Sequence, residues 1–178
     1  MRLRLKIISF ILTISVVFGL TVFVGHGLFP IKHENSIQKY CDMYGVDTHL
    51  ILALIKAESN FKDDAVSHAN ATGLMQLTKE TFAFFEETTN ARGDIENPND
   101  NIHAGVWYLS YLLERYEGNT KNALAAYNAG LSNVDTWLKD PLISSDGKTL
   151  KKIPFGETAR YTEKVSRYTI IYRMLYNL

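Results

Sequence analysis

The chain has a single cysteine, Cys41, so no disulfide can form within it and its core must hold without a covalent staple. It also lacks an excess of charge of either sign: Lys and Arg number 19, and so do Asp and Glu. A general nucleic-acid binder is basic, so this balance argues against nucleic acid as a partner and leaves weakly charged polymers open. The histidines (His26, His33, His49, His68 and His103) are scattered, with no His-Glu-x-x-His run and no His/Cys cluster. No metal site and no cofactor is therefore expected.

What is present is enough apolar material for one domain and a short extra segment: 178 residues, 46% hydrophobic and 12% aromatic. The extra segment comes first. Arg2, Arg4 and Lys6 precede an uncharged, mostly apolar run over residues 7–24. Such a run, as a helix, reaches about 27 Å, close to a bilayer core of about 30 Å. A cleaved signal peptide has a shorter apolar region, of about 7–15 residues, and a small-x-small cleavage site, of which Gly25-His26-Gly27 is a poor version. The expectation is an uncleaved single-pass membrane helix and linker over residues 1–30. Its basic end is cytoplasmic, and residues 31–178 form a domain outside the membrane. Cleavage of the segment would instead make that domain secreted.

Within residues 31–178 the apolar spacing reads as helices. Ile37, Tyr40, Cys41 and Tyr44 share one side of a helix over 36–44, which Gly45 stops, and Cys41 reads as a small core residue. Asp47 is placed to cap the next helix. There Leu50, Ile51, Leu52, Ala53, Leu54, Ile55 and Ala57 cover nearly every face, so that helix is buried. It ends in Glu58. Desolvation and the negative end of the helix dipole both oppose ionisation of a carboxyl in that position, which suits it to general acid work near neutral pH. A polar loop follows over 60–72. Further helices are expected over 81–85, over 99–116 with an Ile102–Gly105–Val106–Leu109–Leu112 stripe, over 121–129 with Gly130 as its stop, and over 157–175. Between the last two, Asp146-Gly147 is a hairpin-turn signal; a small β-hairpin and an irregular loop both satisfy it.

Four blocks carry the chemistry: Glu58-Ser59, Gly73-Leu74-Met75-Gln76, Ala125-Ala126-Tyr127-Asn128-Ala129-Gly130, and Ile153-Pro154-Phe155-Gly156-Glu157-Thr158 with Tyr161. In this order they resemble the catalytic core of lytic transglycosylases of the soluble-transglycosylase, goose-type lysozyme-like class, over roughly residues 36–175. The resemblance implies a mainly α-helical, lysozyme-like catalytic domain over 31–178, monomeric and without a cofactor. It implies peptidoglycan glycan strands as the partner, cut at the β-1,4 bond between N-acetylmuramic acid and N-acetylglucosamine to leave 1,6-anhydromuramic acid ends. It assigns Glu58 as the general acid and base, and Ser67, Gly73, Gln76, Tyr127, Asn128 and Glu157 to the substrate.

Each assignment has a plainer reading from the residues alone. Ser67 can stabilise its own loop, and Tyr127 can be a core aromatic with a satisfied hydroxyl. Gly73 can permit a close backbone approach, Gln76 is a two-way amide, and Glu157 suits the first turn of a helix. The chain departs from the family pattern at His68 and Asn70, where a Pro and a Gly are common, and at Thr78-Lys79, where Met-Pro is common. Asn tolerates a left-handed backbone, which makes Asn70 an understandable replacement. Two rival functions remain: a hydrolytic muramidase on the same fold, which needs a second carboxylate, and an inactive membrane-tethered wall-binding module.

Overall fold

A computed structural model describes residues 2–178; within the first helix, the side chains of residues 2–5, 7–9, 11, 18 and 20–22 are not described. The helices in chain order are α1 (Arg2–Leu28), α2 (Glu34–Tyr44), α3 (Thr48–Glu58), α4 (Lys79–Thr89), α5 (Pro98–Arg115), α6 (Thr120–Ala129), α7 (Leu131–Leu138) and α8 (Gly156–Leu175). Among the described residues the only extended pairing is two isolated bridges, Val66 with Thr72 and Thr72 with Leu77. The described residues therefore adopt the expected mainly helical class, without a sheet.

Local chemistry sets most boundaries. Asp47 caps α3 by accepting the His49 N–H at 2.9 Å, as its position implied. Thr78 caps α4 through the Thr81 N–H at 3.2 Å, which gives the residue standing in the family's Met position a structural task. Asn97 caps α5, with Pro98 at the first helical position, where its missing N–H costs nothing. Gly45 ends α2 at φ 65°.

Helix α3 runs through the middle of the domain. Leu50 to Ile55 are all buried, and α3 packs chiefly on α8 and also against α2. Full burial of a side chain such as Leu52 or Leu54 contributes roughly 2 kcal/mol of transfer free energy. Helix α8, which packs on α3 and α6, buries Thr158, Tyr161, Thr162, Val165, Thr169 and Tyr172. Cys41 is 1% exposed, a core residue as its spacing indicated.

The Asp146-Gly147 segment is an irregular loop, not a hairpin. The Asp146 carboxylate accepts the N–H groups of Lys148 and Thr149 at 2.9 and 2.8 Å and the Ser144 hydroxyl at 3.0 Å. Fully buried Asn122 then takes the Lys148 carbonyl at 2.6 Å and the Leu150 N–H at 3.2 Å. These two side chains engage backbone groups that a hairpin would pair across its strands, and a single backbone bond, Lys151 N–H to the Ile143 carbonyl at 2.9 Å, closes the loop. Helix α7 occupies the start of the region that sequence periodicity left unassigned.

The end of α1 does not lead into a free linker. Phe29 lies edge-on to Tyr168 and Tyr172, with ring centroids 5.1 and 5.5 Å away. The Tyr172 hydroxyl donates to the Pro30 carbonyl at 3.1 Å, and the Tyr176 hydroxyl to the Phe29 carbonyl at 2.7 Å. The membrane-helix expectation falls partly on side chains outside the described ones. Among the described residues, no helix is long and apolar enough to cross a membrane.

Candidate active site

Glu58 is delivered to the site by the last turn of α3 and is half-buried there. The Tyr161 hydroxyl, from the facing side of α8, donates to its Oε1 at 2.6 Å. Lys164, one turn further along α8, donates to the neighbouring Ala57 carbonyl at 3.0 Å. Burial pushes the Glu58 carboxyl from its ordinary 4.5 up to about 7; the Tyr161 hydrogen bond and the Lys164 charge pull it down, and burial prevails. Burial first, and the Glu58 charge second, hold the Tyr161 hydroxyl well above its usual range, so it remains a donor throughout the neutral range.

Directly after Glu58 the chain turns back through two left-handed residues, Asn60 at φ 54° and Phe61 at φ 59°. A left-handed conformation costs a bulky residue about 1 kcal/mol. Phe61 is held in it by burial of its ring, and Lys32 donates to its carbonyl at 3.4 Å. This reversal brings the 60–72 loop back toward the Gly73 block.

That block is a tight turn closed by two backbone bonds, Thr72 N–H to the Leu77 carbonyl at 2.8 Å and Leu77 N–H to the Thr72 carbonyl at 3.0 Å. Gly73 at φ 79° and Gln76 at φ 48° make the bends. Leu74 and Met75 are fully buried. The turn is pinned by Asn101, a fully buried side chain in the first turn of α5. Its Oδ1 accepts the Met75 N–H at 2.9 Å, and its Nδ2 donates to the Thr72 and Ile95 carbonyls, each at 2.9 Å. A Cβ on Gly73 would run into the Asn101 amide, and one on Gly105 into the Met75 side chain. Both glycines are thus set by the packing of this turn on α5. The available signal was a polar residue, Asn101, directly beside the apolar stripe that starts at Ile102.

The other expected site residues fall into two groups. Tyr127 donates its hydroxyl to the Met75 carbonyl at 2.8 Å, and the Glu58 charge acts on it. Gln76 donates both amide protons into the loop, to the Ala65 and Gly73 carbonyls at 3.0 and 2.9 Å, so its carbonyl oxygen is the atom left for a ligand. Glu58, Tyr161, Tyr127, Gly73 and Gln76 are therefore linked through α3, α8 and the turn. Ser67 is occupied within its own loop, accepting the N–H groups of Ala69 and Ala71 at 3.2 and 3.1 Å. Asn70 in that loop is left-handed at φ 59°. Asn128 and Glu157 are exposed, Glu157 one turn before Tyr161 on α8. Among the described residues no group of His, Cys, Asp or Glu is arranged to hold a metal ion.

A helical domain that delivers one half-buried carboxyl to a pinned Gly-Leu-Met-Gln turn has the fold of the lytic transglycosylases. The structure matches that of an inactive Glu-to-Gln mutant of the lytic transglycosylase Slt from Pseudomonas aeruginosa with a TM-score of 0.73, at 32% identity, covering 83% of this chain and 25% of that one. It matches a 70-kDa soluble lytic transglycosylase in complex with bulgecin A with a TM-score of 0.74, at 27% identity, over 84% and 25% of the two chains. Among relatives, the soluble lytic murein transglycosylase of Escherichia coli K12 is 29% identical over 151 residues, 82% of this chain and 23% of that protein. The membrane-bound lytic murein transglycosylase C of Yersinia pestis is 32% identical over 167 residues, 80% of this chain and 47% of that protein. The family model of the transglycosylase SLT domain matches residues 35–148, and the chain belongs to that family. It spans about a quarter of the soluble relative and about half of the membrane-bound one.

Proposed function

We propose that the chain is a membrane-anchored lytic transglycosylase that cleaves the β-1,4 bond between N-acetylmuramic acid and N-acetylglucosamine in peptidoglycan. The observation that carries this reading is Glu58, a lone carboxyl raised to about 7 and held at Oε1 by Tyr161. Ordinary glycosidases need two carboxylates with distinct tasks. Tyr161 and Lys164 are the groups that act on the ionisation of Glu58. A transglycosylase needs one group that gives a proton and takes one back, and a pKa near the working pH suits both halves.

Protonated Glu58 gives its proton to the glycosidic oxygen as the bond to C1 breaks. The substrate's N-acetyl group stabilises the positive charge at C1. Ionised Glu58 then takes the proton of the muramic acid C6 hydroxyl, whose oxygen closes onto C1 and leaves a 1,6-anhydro end without consuming water. Tyr161 fixes one carboxylate oxygen, which leaves the other for the substrate. The Gln76 carbonyl oxygen accepts from a sugar, while Gly73 and Tyr127 keep the turn that presents it. Ser67, Asn128 and Glu157 position the strand along the cleft.

The anchor part of the reading is supported by α1, a continuous helix through the uncharged 7–24 run, preceded by Arg2, Arg4 and Lys6. Its described side chains Phe10, Leu12, Ile14, Val16, Phe23 and Val24 all face outward. The relatives' names include both soluble and membrane-bound murein transglycosylases. Extraction of the expressed full chain from membranes with carbonate tests the anchor: retention supports it, and release refutes it.

The activity is tested by mass spectrometry of purified peptidoglycan digested with the full chain in non-ionic detergent, beside Glu58→Gln. Anhydro-muropeptides from the wild type and none from the variant are expected. Reducing-end products would move the assignment to a muramidase. No products from a folded wild type would favour a wall-binding module.

A further inference from the structure

The last turns of α1 lie against the last turns of α8. Gly25 faces Leu175 so closely that a Cβ there would sit 2.8 Å from a Leu175 methyl group. The His26 ring stands edge-on to Tyr176 at 4.6 Å. Phe29, just past α1, reaches Tyr172 and Tyr168 further back on α8. These pairs run in opposite orders, so α8 descends toward α1 as α1 rises from its apolar run. Leu175 is therefore level with Gly25, the residue directly after the uncharged run over 7–24. The junction is held by the Tyr172 and Tyr176 hydroxyls on the Pro30 and Phe29 carbonyls, and His49 of α3 donates from Nε2 to the Tyr176 carbonyl at 3.2 Å.

At that level the outward side of α8 turns apolar. Ile171 and Met174 share one side of the helix, opposite the side that buries Thr162, Val165 and Thr169. Ile171 is half-buried, Met174 is 79% exposed, and Leu178, past the helix, is 46% exposed. The charge here has one sign. Residues 164–178 contain Lys164, Arg167 and Arg173 and no Asp or Glu. Asp47, the acid that meets this end of α8 from the start of α3, is engaged by Arg173 and by the His49 N–H. Exposed apolar side chains among cations, placed where an apolar helix emerges, suit an anionic lipid surface: the headgroup layer takes the apolar groups and its charge favours the cations.

We propose that the exposed end of α8, at Ile171, Met174 and Leu178, is a second membrane contact, seated in the headgroup layer of the bilayer that α1 crosses. This rests on the membrane-anchored reading and adds how the domain stands on the membrane. Two points of attachment, joined by the α1–α8 junction, orient the domain where a lone tether would let it swing. The α8 axis runs about 20 Å from Tyr161 to Met174. Glu58, bonded to Tyr161, is at the end of α8 that points away from the lipid. The cleft is thereby held at a set height, and a strand must pass at that height to reach Glu58.

The test uses the full chain in vesicles of phosphatidylethanolamine and phosphatidylglycerol, with a nitroxide spin label on Met174→Cys or on Arg160→Cys. Both positions are exposed on the same side of α8, and Arg160 is about 20 Å further along the axis from Met174. The natural thiol, Cys41, is buried, so a label count of one per chain also certifies the fold. At position 174 the label is expected to lose access to a water-soluble nickel chelate and to keep access to oxygen, which concentrates in lipid. At position 160 the chelate should keep its access. A chain that does not float with the vesicles overturns the anchor and this contact with it. A chain that floats with position 174 open to the chelate overturns this contact and leaves the anchor standing. Loss of chelate access at both positions lays α8 flat on the bilayer and overturns the set height. Position 174 closed to both chelate and oxygen, with spin–spin broadening, assigns the face to a second copy of the chain and overturns the lipid contact.

Discussion

Replacing Glu58 with Gln should stabilise the protein, and by an amount that depends on pH. The folded state raises this carboxyl from 4.5 to about 7, so between those values it binds more protons than the unfolded state. Stability therefore falls as pH rises through that window, and the full deficit is reached above about 7. The shift corresponds to about 3 kcal/mol, reduced to about 2 kcal/mol because Glu58 keeps some access to solvent. Gln has no charge to desolvate, and its carbonyl oxygen can still accept from Tyr161. The variant should match the wild type at about pH 4 and exceed it by about 2 kcal/mol at about pH 8. Urea unfolding of the full chain in non-ionic detergent measures this, followed by the fluorescence of Trp107 and Trp137, both buried. A difference that stays constant across the pH range, or a variant less stable at high pH, would refute a desolvated carboxyl at this position.

Tyr161→Phe removes a hydrogen bond that favours the ionised carboxyl, so the Glu58 titration seen in the pH–rate profile should move further up; a profile that stays put or moves down would count against the contact. Asn101→Leu leaves the Met75 N–H and the Thr72 and Ile95 carbonyls without their buried partner, so the fold should lose about 3 kcal/mol, and a melting temperature near that of the wild type would deny Asn101 its pinning role. Gly105→Ala drives a methyl into the buried Met75 side chain and should cost about 1–3 kcal/mol by denaturant unfolding. The Cys41 thiol, buried and pushed up to about 12, should ignore a disulfide reagent such as DTNB until the protein is denatured.

How much of the site was legible differs from residue to residue. Glu58 stood out because an apolar run with no polar face can only be a buried helix, and a carboxyl at its end is necessarily close to low-dielectric surroundings. Gln76 was legible as a polar group in a Gly-containing turn, but which of its atoms faces a ligand was not. That depended on the Ala65 and Gly73 carbonyls arriving to take both amide protons. Asn101 was nearly invisible, since its partners Thr72 and Met75 are far away in the chain and meet it only when α5 packs beneath the turn. The Asp146-Gly147 segment shows the same limit. Its local signal suits a hairpin, and Asn122 from another helix helps hold it as a loop.

By itself the sequence determined most of the helices and the Asp47 cap, because spacing along one chain and the terminal needs of each helix are local properties, while the class of chemistry was implied by the resemblance of the four blocks. Apolar residues every third or fourth position specify which face is buried wherever the helix ends up, and Asp47 caps α3 whatever lies beyond it. Tertiary packing decided what the carboxyl became. Only the crossing of α8 over α3 sets Tyr161 on Oε1, removes water from Glu58 and places Lys164 at the adjoining carbonyl. These are balances between desolvation and a few polar contacts from distant segments. They change with distances of an ångström, and no periodicity in the chain encodes them.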